Sequence, residues 1–178
     1  VYDLDLATVS WNEPSSTLAD LLIGQIDTSH ILLMVTEINA TDQTISFVGA
    51  PGWIEQQALE QYPCVEAIDF DPADFTANPY FSVGPNNFTI DLAGNQIPVE
   101  NLLVDASFDS NAANLKNLRI QAYLDGSFVI PDLGFSICDF ASIVGISCST
   151  CPVDSTRDCL TLDADAAKAP FVQGLTVD

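Results

Sequence analysis

Basic residues are almost missing. Lys and Arg together number 4 in 178 residues, against 25 Asp and Glu, which sets the formal net charge at −21; His30 is the single histidine. A surface of that sign repels the phosphates of nucleic acid and the headgroups of an anionic membrane, so neither is an expected partner. Long apolar runs are missing too. No stretch of about 18 apolar residues occurs, so no membrane span is expected; the most apolar segment, Leu133 to Ile146, is broken by Asp139 and Ser142. Charge of either sign is sparse. Charged residues make up 16% of the chain and hydrophobic ones 48%, and the mean hydropathy is +0.25, so a disordered chain is excluded. The surface must be largely uncharged and apolar, with carboxylates that few cations can pair.

Catalytic signatures are also missing. No G-x-S-x-G elbow accompanies His30, and one histidine cannot make a metal site alone. Paired carboxylates for hydrolysis are uninformative in a chain with this many acids. The expectation is a protein that is not an enzyme.

A chain of this length fits one domain, residues 1–178, and is long enough to bury roughly 70% of its unfolded surface. Five cysteines are present: Cys64, Cys138, Cys148, Cys151 and Cys159. Scarce lysine, a first residue other than Met and abundant Asn, Ser and Thr fit a secreted protein. In that setting Cys138, Cys148, Cys151 and Cys159 are disulfide candidates, and their connectivity stays open. The odd count leaves Cys64 free or with a long-range partner. Cys148-Ser149-Thr150-Cys151 lacks the βαβ context of a redox motif and a following His for haem. Four thiolates could hold zinc, but only one close pair exists where the usual signature has two.

Asp outnumbers Glu, as suits turns, caps and oxygen-ligand loops. Asp69, Asp71 and Asp74 lie in a Pro-broken loop and are the candidate calcium ligands, although the spacing matches no calcium loop; a solvated acidic loop is the simpler reading. No other cofactor is expected. Asn39-Ala40-Thr41 and Asn87-Phe88-Thr89 are glycosylation sequons.

Most of the chain alternates apolar and polar residues between turn signals, the pattern of half-buried strands. Strands are expected over Tyr2–Val9, His30–Ile38, Gln43–Ala50, Asn87–Leu92, Gln96–Glu100, Asn101–Asp109, Leu118–Leu124, Cys159–Asp165 and Phe171–Val177. Helices are expected over Thr17–Gly24, Trp53–Tyr62 and, best, about 132–145, with Asp132 as cap and Gly145 as stop. The expected fold is mainly β: an antiparallel β-sandwich or flattened barrel with short helices and a Cys-rich segment over 138–159.

Two functions are expected from this. One is an extracellular or cell-surface structural or interaction protein, a filament or surface-layer subunit that self-associates, or binds another extracellular protein, through strands Tyr2–Val9 and Phe171–Val177. The alternative is a secreted binding module for a carbohydrate or apolar ligand, calcium-dependent or not. Its groove would use aromatics beside turns: Tyr80, Phe81, Phe88, Phe108, Tyr123, Phe128 and Phe135.

Overall fold

Strand alternation builds two antiparallel sheets. The computed structural model describes residues 1–24, 29–63, 65–92, 95–130 and 134–178. The first sheet runs β1 (Tyr2–Asp5), β3 (His30–Asn39), β4 (Thr44–Glu55), β5 (Ala58–Gln61), and β6 (Ile68–Asp69) and β7 (Ala73–Asp74) also pair with β4. The second runs β13 (Ser149–Thr150), β14 (Asp158–Pro170), β10 (Asn114–Asp125), β9 (Asn95–Phe108), β8 (Tyr80–Leu92), and β2 (Ser10–Glu13) also pairs with β14. A ribbon of β11 (Val129–Ile130) and β12 (Phe135–Ser136) and two helices, α1 (Ser16–Ile23) and α2 (Ile137–Ile143), complete the chain. This is the expected mainly-β architecture, consistent with a sandwich or flattened barrel.

The core follows from the period of two. On β10, Leu118, Ile120, Ala122 and Leu124 all point inward and are buried. Their β14 partners are Ala166, Ala164, Leu162 and Leu160, so three of the four pairs set a large residue against a small one and Leu124 meets Leu160. Leu4, Leu33, Ile45 and Phe47 of the first sheet belong to the same core. Each such Leu contributes about 2 kcal/mol relative to remaining exposed. One region is aromatic: Phe81 stands 4.8 Å from Phe47 and 5.2 Å from Phe108, and Tyr2 stands 5.7 Å from Phe108 and 5.5 Å from Phe171. The run HILLMV on β3 is apolar on both faces because both are covered. Leu33 enters the main core, whereas Leu32 packs with Val1, Ala50 and Val177 in a second cluster.

Four expected elements are corrected. Trp53–Tyr62 is not a helix. Residues up to Gly52 pair with β3, which holds them extended, and Gln56 and Gln57 take φ of 49° and 73° to turn β4 into β5. Cross-strand pairing, with Trp53 edge-on to Tyr62, overrides good helix propensity. The helix expected over 132–145 is only Ile137–Ile143; Ser136 caps it in a capping box with Asp139, and residues 131–133, with the expected cap Asp132, lie outside the described residues. Tyr2–Val9 is a strand only to Asp5, where Ala7 and Thr8 bond back to Asp5 and turn the chain. Phe171–Val177 is not a strand. Its first residue makes a single bridge to Tyr2, and Val172 N donates to Val1 O at 2.8 Å. The remainder reaches β5, where Gln61 bonds both ways with the Asp178 backbone.

Candidate functional site

The aspartate surplus has a local use. Thr76 donates from its N at 2.9 Å and its Oγ1 at 3.2 Å to Asp74. Asp125 takes the same bonds from Ser127, and Asp154 from Thr156. An Asp side chain has the reach to close such a turn on its own backbone two residues on. These bonds hold Asp74 below the usual carboxylate range and take Asp154, with Thr156 the leading cause, to about 2. Asp69, Asp71 and Asp74 are exposed. Their ligand atoms form no group within 4.8 Å; among the described residues only Glu100, Cys151 and Cys159 do.

That trio is occupied in another way. Cys151 pairs with Cys159, and Cys138 with Cys148, so all four clustered cysteines are disulfide-bonded. Each bond closes a short loop around α2 and the start of β14. Gly126 lies against one of them: a Cβ there would collide with Cys138 Sγ. Cys64 lies outside the described residues. Glu100 receives Arg157 Nη2, and the same guanidinium reaches Asp125 at 2.7 Å and Asp154 at 2.9 Å. The Glu100 bond leads in pushing the Arg157 guanidinium up. Arg157 thereby neutralises a largely buried carboxylate and ties β9, β10 and the loop before β14 together, a structural role.

The sequons differ. Asn39 is spent in its own turn, donating to Asp42 at 2.8 Å and accepting from Thr41 N at 3.0 Å, whereas Asn87 is exposed and accepts from Asn101 N.

The feature with chemical consequence is a cavity of about 80 Å³ between the sheets, beside α1. Ile31, Gly49 and Ile68 come from the first sheet, Val99, Ile120 and Ala122 from the second, and Leu6, Trp11, Pro14, Ala19 and Ile23 from β2, α1 and their flanks. Among the described lining residues, only His30 and Trp11 have side chains that carry a polar atom. Ala19 and Ala122 stand in this wall, and Gly49 admits the Phe70 ring, which a Cβ there would meet at 2.7 Å; the rings of Phe47, Phe75, Phe81 and Phe108 pack on one another elsewhere in the core. His30 Nδ1 lies 2.8 Å from Asp3 Oδ1, and this bond raises the imidazole pKa against the opposing effect of burial. Comparison with family models, with curated proteins and with solved structures finds no match for the chain.

A cavity walled by hydrocarbon is a poor home for water and a good one for an apolar group. Of the aromatics singled out from the sequence, Phe88 alone lines it. Phe81 is buried in the aromatic set, while Tyr80 and Phe135 are half exposed. The main lining residues were not singled out from the sequence, because they come from many elements and look like ordinary core.

Proposed function

We propose that the chain is an extracellular binding module that holds an apolar ligand between its two sheets. The hydrocarbon-walled cavity beside α1 carries this reading. The two disulfides support the extracellular setting. Assembly through terminal strands draws less support, because β1 already meets Phe171 and Val172 of its own chain. The second sheet's long β8 edge is also broken by register shifts near Val83 and Asn86, a common way of blunting an edge.

Trp11 gives a local readout. In a Trp53→Phe variant it is the only tryptophan, and it lines the cavity. An uncharged brominated chain, 8-bromooctanol, should quench it saturably, and Ala122→Val should weaken that quenching. Quenching that rises linearly without saturation, equally in both proteins, would sink the reading.

A further inference from the structure

We propose that the ligand is an amphiphile with a cationic head, its hydrocarbon tail in the cavity and its head at the acidic surface around it. This deepens, and rests on, the ligand-binding reading above. The tail follows from the wall, in which His30 and Trp11 alone among the described lining residues have polar side-chain atoms. The head follows from where charge lies. No Lys or Arg occurs before Lys116, so the first sheet, β2 and α1 contain none. Carboxylates, in contrast, are close in sequence to lining residues: Asp5 precedes Leu6, Glu13 precedes Pro14 and Asp20 follows Ala19; Asp69 of β6, between the lining residues Ile68 and Phe70, faces away from the wall as a strand neighbour must. Glu13, Asp20 and Asp69 are exposed.

The possible compensating cations do not change this balance. His30 is matched by Asp3, with Asp5 also near enough to favour its charged form. Arg119 is next to the lining residue Ile120, but strand neighbours face opposite ways; it is exposed and bound to Asp163 at 2.7 Å. Arg157 is enclosed by three carboxylates. Lys116 and Lys168 face each other across β10 and β14 and adjoin no lining residue. A carboxylate or phosphate head would therefore meet unscreened repulsion, and a quaternary ammonium attraction.

The test compares one tail with three heads: 8-bromooctyltrimethylammonium, 8-bromooctanol and 8-bromooctanoate, each titrated against Trp11 in the Trp53→Phe protein. In low salt the ammonium should bind at least about tenfold tighter than the carboxylate, with the alcohol between them. In 1 M NaCl, where the screening length falls to about 3 Å, the gap should shrink to within about twofold. Asp20→Asn with Glu13→Gln should narrow the low-salt gap and leave the alcohol unchanged, which a loss of folding would not do. Equal binding of ammonium and carboxylate, with the alcohol still bound, overturns the cationic head and leaves the cavity reading intact. Binding of none of the three overturns both. Ammonium binding that survives Ala122→Val unchanged places it on the acidic surface and overturns the proposal.

Discussion

Adding carbon to the cavity wall should stabilise the protein while removing its binding capacity. Ala122 is buried, points inward from β10 and lines the cavity. Ala122→Val adds two carbons. If they enter vacant space they contribute about 0.8 kcal/mol each, or roughly 1.5 kcal/mol in total, and for a chain of this size that raises Tm by about 3–6 °C. Ala166→Val is the matched control. It is also a buried strand alanine, opposite Leu118 on β14, but it does not line the cavity. There the same two carbons overpack a filled core, at a cost of about 1–3 kcal/mol. Any gain in strand propensity is common to both sites. Thermal unfolding followed by circular dichroism, with Trp11 quenching on the same samples, reads both effects. If both variants lose stability equally, the space beside Ala122 is already filled and the cavity argument fails.

Opening either disulfide by paired Cys→Ala substitution should cost about 2.5 kcal/mol, from the loop entropy of sequence separations of 10 and 8. Calorimetry checks this, and a loss below about 1 kcal/mol would mean that the loops are held without the bonds. The His30–Asp3 pair makes stability fall with rising pH. The folded imidazole pKa lies above its ordinary 6.5 because Asp3 holds the charged form. Its contribution is therefore complete below 6.5 and is lost as pH climbs through the raised value. Urea melts from pH 5 to 9 should show this slope in the native protein and lose it in His30→Gln; an unchanged slope in the variant would refute the assignment. Added salt should raise Tm by relieving self-repulsion, and CaCl2 should match NaCl at equal ionic strength, since Asp69, Asp71 and Asp74 are not gathered into one ligand group. A rise at micromolar calcium would show a site that this arrangement does not explain.

Period-two segments such as Leu118–Leu124 were legible because their burial is set by neighbours on the same pleat. The clustered cysteines were legible as staples but not in their pairing, which depends on how β14 meets the loop after α2. Trp53–Tyr62 was misread because its helix formers carry no sign of β3, which holds the residues just before them extended. Phe171–Val177 has the composition of a strand, yet only its first residue bridges another; further on, Val177 packs with Leu32 in the second cluster. The cavity was not legible at all. Its wall is assembled from single residues of both sheets, β2 and α1, and each is unremarked in its own segment.

The distribution of Lys and Arg bears on resistance to proteolysis. A trypsin-like enzyme cuts after Lys or Arg, and this chain offers only Lys116, Arg119, Arg157 and Lys168. Lys116, Arg119 and Lys168 lie within paired strands, and the side chain of Arg157 is gripped by Glu100, Asp125 and Asp154. Cleavage at the strand sites requires β10 or β14 to leave the sheet, so it reports global opening more than local fraying. The same scarcity leaves the first 115 residues without a lysine side chain, so any modification that needs a lysine ε-amine must fall on Lys116 or Lys168 of the second sheet.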